Sequence, residues 1–529
     1  MPRLRTSLSL VTCLLFTSFL PAAAQTKATV IAAEHHDASQ SLRTLVRVPL
    51  KFSGAAIPGE FSEFEDFTQP IKNPSYPDTV VQNSASSQMS LTQGVAIAGV
   101  GQGDYGYSDT FPVPDSNGAV GATQYVQSAS SSFAVFDKST GAVVLGPANT
   151  NSVFAGFGGA CETTQAGDSV IIYDKISNRW VIGTMAQRLP TGEGFNYECV
   201  AVSQTSDATG AYYRYSFKLN NIDYQKIGVW PDGYYLGLNN PANTIATTCA
   251  MDRTQMLAGG NANIVCFTLN GYNTVLPSDL DGRTLPPAGS PNYFIGGINN
   301  GKNVLNLFKF HVDFTNTRNS TLTGPIAIQV APYTPSCLAN GGYYRTCVPQ
   351  KGSSLKLETL SDRVMYRNAY RNFSDHESIV LNHAVDVNGS AGHSVGLRWY
   401  ELRAAEDGNF SVYQQGTYAP NSTSRFMGSV AMDGSGDMAI GYAISSTAIY
   451  PSMAMTGRLS TDPLGTLEAE KVLFSGASAT SNTLWGDYTS MAIDPTDDCT
   501  FWYTNEYYKS GQTLNWSTRI NSFKFSACK

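Results

Sequence analysis

A chain of 529 residues with a net charge of −7 and 14% charged residues is a poor match for nucleic acid or anionic membranes. Both need clustered Lys and Arg, which this sequence lacks. Its 48 Gly, 28 Tyr and 25 Phe suit many short strands and turns, whereas long surface helices would need far more Lys and Glu.

The chain opens on an expected secretion signal, residues 1–24. Arg3 and Arg5 form the basic start, "LSLVTCLLFTSFL" the apolar stretch, and Ala22, Ala23 and Ala24 a small-residue cleavage site. The mature, secreted chain would begin at Gln25. No later stretch approaches the roughly 20 apolar residues of a membrane helix, so no membrane span is expected. Residues 25–90 show no repeat. Their "EFSEFEDFTQPIKNPSYPDTVVQNSASSQ" is polar and turn-rich, the composition of an arm that lies extended on the rest or is partly disordered.

"LTQGVAIAGVG" (91–101) reads as a strand set apart from the repeats and able to close them. One plan then recurs in "FAVFDKSTGAVVL" (133–145), "VIIYDKISNRWVIG" (170–183), "VAMDGSGDMAIGY" (430–442) and "MAIDPTDDCTFWY" (491–503). Each has an apolar strand, an Asp, a short polar turn and a second apolar strand. An Asp opening a turn accepts the backbone N–H two residues on, and Gly, Asn or Asp tolerates the positive φ near its end. Asp137, Asp174, Asp433 and Asp494 are therefore read as turn builders. Weaker copies are "IGVWPDGYYLGLNN" (227–240), "YFIGGINNGKNVLNLFKFHVDF" (293–314) and "ESIVLNHAVDVNGSAGHSVGLRWYELR" (377–403).

From Asp115 onward the strand clusters make about seven units of roughly 40–60 residues. Radial repetition at that period protects sheet edges, and one ring can absorb the whole length. The expected fold is all-β: a β-propeller over residues 91–529, read as seven-bladed with six or eight blades also open, behind an N-terminal extension. "TLPPAGSP" (284–291) and the loop between Cys337 and Cys347 would decorate it. "CAMDRTQMLAGG" (249–260) is the expected helical turn, stopped by Gly259 and Gly260.

Cys13 falls in the signal, leaving Cys161, Cys199, Cys249, Cys266, Cys337, Cys347, Cys499 and Cys528. An even number in an exported chain reads as disulfides, although eight cysteines allow 105 connectivities. Sequential pairing is expected because each pair would close one local loop. No CxxC occurs, which argues against a zinc site.

The phrases "DSNGAVGATQYVQ", "GDSVIIYDKISNRWVI", "YECVAVSQTSDATGAYYRYSF", "GVWPDGYYL", "DRVMYRNAYRNFSDHESIVLNH", "RWYELR" and "WGDYTSMAIDPTDDCTFWYTNEYY" resemble a family of secreted bacterial proteins with a sialidase-like β-propeller. The resemblance spans residues 110–528 and implies that fold and an extracellular location. The family has no agreed activity, so it assigns no catalytic residue. Two sialidase hallmarks, an early Arg-Ile-Pro and strict S-x-D-x-G-x-T-W turns, are absent here.

In a propeller the innermost strand of each blade lines the channel, and its start lies near one face. The expected starts place Asp115 ("PDSNG"), Asp168 ("AGDSV"), Asp232 ("WPDGYY"), Asp362 and Arg363 ("SDRVMY") and Asp487 ("WGDYTS") around the axis. Converging carboxylates repel, so a shared proton, a cation or a metal must relieve them. Such a group could bind Ca²⁺ through oxygen ligands, or divide into acid and base for glycoside cleavage; the bland alternative is that each Asp caps its own turn. Asp115, Asp168, Asp232 and Asp487 are thus the candidate catalytic acids, with Arg363 as counter-charge. Trp230 and Trp485, each two residues before an acid, suit a sugar face or a packed core. His376, in "YRNFSDHESIVLNH", is a candidate ligand-binding residue or part of a polar belt, and His311 is expected to pack within a blade. No phosphate-binding glycine loop, HExxH or G-x-S-x-G occurs. Two functions remain in view. One is a secreted hydrolase or lyase acting on extracellular glycans at the acidic mouth. The other is a non-catalytic propeller that binds a glycan or protein outside the cell.

Overall fold

Apolar runs separated by Asp- and Gly-rich turns fold as the sequence predicts, into strand after strand. The computed structural model describes residues 27–47, 77–84, 86–107, 113–164, 167–189, 194–296, 303–339, 342–343, 346–387, 394–405 and 408–528. The expected signal lies outside these residues, as do residues 48–76 of the expected arm.

From residue 117 the chain forms consecutive antiparallel meanders of four strands. They span 117–149, 167–218, 223–270, 275–329, 368–418 and 424–474, followed by a unit at 490–525 whose fourth strand is Leu91–Ala98. One long strand, Tyr212–Val229, serves two units: its first half closes one meander and its second half opens the next. The innermost strands are Asn117–Val120, Gly167–Asp174, the 223–229 half-strand, Val275–Asp281, Asn368–Asn372, Ser424–Met432 and Ser490–Ile493. They touch in chain order, and the last touches the first. The fold is a β-propeller.

The strand at 91–98 closes the ring as expected, with Ile97 opposite Ile520 and Leu91 opposite Phe525. Aromatic rings fill the wedges between units. Tyr235 meets Phe310 and Phe294 at 5.3 and 6.1 Å, and Phe267 meets Phe310 at 5.1 Å, all edge-on. Burying each such ring contributes about 1.5–3 kcal/mol, and edge-to-face contact about 0.5–1.5 kcal/mol more. Gly441 shows how close neighbouring units come. A Cβ there would lie 2.6 Å from the Tyr503 ring, so no larger residue fits.

The four repeat aspartates sit in strand-to-strand turns. Asp137 accepts from the N–H of Ser139 and Thr140, Asp174 from Ile176 and Ser177, Asp433 from Ser435 and Asp437, and Asp494 from Thr496. The disulfides are 161–199, 249–266, 337–347 and 499–528, the sequential pairing. Four bridges fit an oxidising, extracellular setting. Cys499 lies in the turn before its unit's second strand and Cys528 just past Trp516–Phe525, so that bridge ties down the chain end. Non-reducing peptide mapping should recover Cys499 linked to Cys528; alkylation of both thiols in the native protein would contradict it.

The described parts of residues 25–90 run along outer edges. Thr29–Ala32 extends the 223–270 unit, His35–Ala38 the 167–218 unit, and Val81–Gln82 pairs with Thr417 and Tyr418. Buried Arg214 grips the Asp37 carboxylate at 2.8 and 2.6 Å. Covering edges in this way removes pairing sites for other chains. The expected helical turn is Arg253–Ala258, capped by the Asp252 side chain and ended by Gly259 at φ 70°. His311 departs from expectation: it ends its strand, Val304–His311, and is exposed. No helix among the described residues is long and apolar enough to cross a membrane.

Candidate functional site at the channel mouth

Each inner strand begins at the same face of the ring, and several begin with an acid. Asp115 precedes its strand by two residues, Asp168 is the second residue of its own, Asp223 opens the 223–229 half-strand, and Asp487 stands three residues before Ser490. All four side chains are half-buried. Asp115 and Asp168 hold φ of 40° and 53°, and Tyr224, beside Asp223, holds 51°. That left-handed region is tolerable for Asp and costly for a bulky Tyr. Strain of this kind concentrates where the surrounding structure imposes a functional geometry.

Lys226 lies beneath these acids. It is fully buried, and its Nζ is 3.4 Å from the Tyr224 ring centroid and 3.3 Å from that of Tyr488. Tyr488 belongs to the 490–525 unit, which does not neighbour the unit of Lys226, so the side chain crosses the channel. Among the described residues Lys226 Nζ has no hydrogen-bond partner. Burial lowers its pKa well below the usual lysine value, against the opposing pull of Asp168, Asp487 and Asp115. Two aromatic faces and three carboxylates oppose that shift without outweighing burial.

Arg363 is also at this site. Its Nε and Nη2 each bond the Asp362 carboxylate at 3.0 Å, and its guanidinium lies 4.5 Å from the Tyr224 ring. The Tyr224 hydroxyl donates to the Asp487 carbonyl at 3.3 Å. Behind Asp487, the N–H of Trp485 donates to Glu358 at 3.1 Å and that of Gly486 to Glu506 at 2.6 Å. Burial, then the adjacent Glu358 charge, pushes the Glu506 carboxyl well above the usual range, against the Gly486 N–H.

The opposite end of the channel is neutralised. Arg367 bonds Asp279 at 2.6 Å, both oxygens of Asp281 at 2.9 and 3.0 Å, and the Met491 carbonyl at 3.0 Å. Lys175 bonds Asp281 at 2.7 Å. These contacts span four units, so the channel is crossed at both ends.

The structure thus brings Asp115, Asp168, Asp487 and Arg363 together. Three expected site residues lie elsewhere. Asp232 sits in the turn that ends its inner strand, where the Tyr235 hydroxyl bonds it at 3.1 Å. Trp230, in the same turn, packs edge-on against Tyr293 and Tyr370 and donates to the Ser290 carbonyl. His376 belongs to the hairpin between Asn368–Asn372 and Glu377–Asp386, bonded to Asp375 at 2.8 Å and stacked on Phe373. Trp485 adjoins the site but is buried against Phe426 and Tyr508. Asp223, Tyr224, Lys226 and Tyr488 were not anticipated. Asp223 was legible in principle, because it precedes "IGV" much as Asp168 precedes "VII". No group of three or more His, Cys, Asp or Glu that could hold a metal occurs among the described residues.

A hollow of about 510 Å³ lies away from the axis, lined by Val95, Ile97, Lys138, Asp494 and Trp502 among others. Lys138 bonds Asp494 at 2.9 Å, and Trp502 Nε1 donates to the same carboxylate at 3.3 Å. Its polar groups satisfy one another.

No family model matches this chain, and no curated protein matches it; no matching family therefore bears out the sialidase-like resemblance. Among solved structures it is similar to the WD40 domain of SCAP from fission yeast, at 6% identity and TM-score 0.32, over 77% of this chain and 82% of that one. It is similar to an exo-β-1,3-galactanase from Clostridium thermocellum at 12% identity and TM-score 0.29, over 82% and 97%. It is also similar to an α-L-arabinofuranosidase from Podospora anserina at 9% identity and TM-score 0.27, over 78% and 97%. At these scores the likenesses carry no argument about chemistry.

Proposed function

We propose that this protein is a secreted, seven-bladed propeller that engages an extracellular glycan at the acidic mouth and cleaves it as a hydrolase or lyase. The supporting observation is the convergence of half-buried Asp115, Asp168 and Asp487, from three separate units, over Lys226 and beside Arg363. Carboxylates accept hydrogen bonds from sugar hydroxyls, and two acids held near one cation can differ in protonation, as acid–base cleavage requires. In this reading Asp168 and Asp487 are the working acids, Arg363 supplies the counter-charge, and Lys226 is a buried proton-binding group beneath them.

A second reading, a propeller that binds glycan or protein without cleaving it, draws on the floor of the site. Lys226 crosses the channel directly beneath the rim, leaving a mouth rather than a deep cleft.

A polysaccharide panel with and without EDTA separates these readings. New reducing ends indicate a hydrolase, ultraviolet-absorbing unsaturated ends a lyase, and retention without product a binder. Asp487→Asn should cut turnover by roughly 10²-fold or more if Asp487 transfers a proton, with thermal stability nearly unchanged. A sharp fall in melting temperature with activity intact would make Asp487 a structural cap instead.

A further inference from the structure

We propose that Glu198 carries a proton in the folded protein at neutral pH and, through Gln225, acts as a positioning residue for Asp168. The importance of Asp168 rests on the reading above; the proton on Glu198 does not.

Glu198 lies on the strand Phe195–Ser203, opposite Met185 and Phe217. It is fully buried, and among the described residues neither carboxylate oxygen has a hydrogen-bond partner. Gln225, equally buried, comes from the inner strand of the next unit. Its Nε2 donates to the Asp168 carbonyl at 2.6 Å. That bond fixes the amide orientation, because the amide oxygen could not sit against a carbonyl. Gln225 Oε1 must therefore point away from Asp168, and it has no donor among the described residues.

The two acceptors border the same glycine. A Cβ built on Gly183 would lie 3.0 Å from Gln225 Oε1 and 3.1 Å from Glu198 Oε1, with Ile227 Cδ1 closing the other side. Both oxygens border the same narrow space above Gly183, which is too small for a methyl group and is closed by the Ile227 side chain. A proton on Glu198 converts two opposed acceptors into a donor and an acceptor. A bridging water could serve both of these oxygens. It would leave Glu198 Oε2 unmatched and a full negative charge buried, since Met185, Phe217, Gln225 and Ile227 are all uncharged. Burial alone raises the Glu198 pKa well above the usual value, in the same direction. The relay then runs from the Glu198 carboxyl to the Gln225 amide to the Asp168 carbonyl. It fixes the backbone of a residue held at φ 53°.

Infrared spectra of the wild type, Glu198→Gln and Glu506→Gln at neutral pH test the proton. The wild type should show the carbonyl band of a protonated carboxylic acid, with one component lost in Glu198→Gln and kept in Glu506→Gln. A wild-type spectrum without the band, or a band unchanged by Glu198→Gln, overturns the proposal. The relay is tested by titrating the Asp168 carboxyl in protein labelled with ¹³C-aspartate. Glu198→Gln, whose amide still donates, should leave the midpoint in place, and Gln225→Leu should shift it. An unmoved midpoint in Gln225→Leu would refute the positioning role. The raised pKa also sets a sign. Stability from this proton is complete below the ordinary Glu value of about 4.3 and declines as pH rises toward the folded value, so Glu198→Gln should flatten that decline. None of these measurements uses a glycan, so failure of the glycan reading would leave them interpretable.

Discussion

Replacing Arg367 with alanine should cost about 3–5 kcal/mol of stability, because it strands two buried carboxylates. Arg367, Asp279 and Asp281 are all buried, and the guanidinium meets both acids while also bonding the Met491 carbonyl. Burial by itself would raise the Asp281 carboxyl, but Arg367 and then Lys175 outweigh it and hold the group well below the usual carboxylate range. The network joins inner strands of the 167–218, 275–329, 368–418 and 490–525 units at the end of the channel away from the mouth. A cut there loosens the ring rather than the candidate site. Denaturant unfolding measures the loss. A double-mutant cycle with Asp281→Ala should be strongly non-additive, since removing the acid relieves the charge that Arg367→Ala leaves behind. A loss below about 1 kcal/mol would mean that the network only fills space.

The hairpins were legible because each is local. An Asp that bonds the N–H two residues on needs nothing from the rest of the chain, so Asp137, Asp174, Asp433 and Asp494 follow from their own neighbours. The disulfides were legible for the same reason, since each closes a loop of 38 residues or fewer. The mouth was only partly legible, because it exists through ring closure. "WPDGYY" reads as a strand start, but it follows the end of an inner half-strand that opens at Asp223 within "NNIDYQKIGV". The shift puts Asp223, rather than Asp232, at the head of that inner half-strand and leaves Trp230 in the turn beyond it.

Lys226 was hidden more deeply. A lysine in "DYQK" reads as a surface residue, and its enclosure depends on the Tyr488 ring from a distant unit as well as on Tyr224 nearby. Strand alternation then sends Gln225 and Ile227 to the opposite side, where they meet the Gly183 gap beside Glu198. His376 shows the reverse case. Its acidic neighbours suggest chemistry, yet Asp375 bonds the His376 ring and Glu377 accepts from the Tyr370 hydroxyl.

Replacing Asp433 with asparagine should raise stability at alkaline pH and flatten its dependence on pH. Asp433 is buried, and burial, then the neighbouring Asp437 charge, pushes its carboxyl up to about 7, against the N–H groups of Ser435 and Asp437. The Asp437 carboxyl is raised as well, chiefly by burial. A raised folded pKa means that the proton is bound more tightly in the folded state. The stability it confers is fully present below the unfolded value of about 3.9 and is lost as pH rises through about 7. Asparagine keeps the Oδ1 acceptor for both backbone donors and cannot ionise. The variant should therefore match the wild type near the low end of that window and exceed it at about pH 8, by on the order of 2–4 kcal/mol. Denaturant midpoints at about pH 5 and about pH 8 measure the difference directly. Parallel profiles for the two proteins would mean that Asp433 titrates normally in the folded state and that its turn opens readily to water.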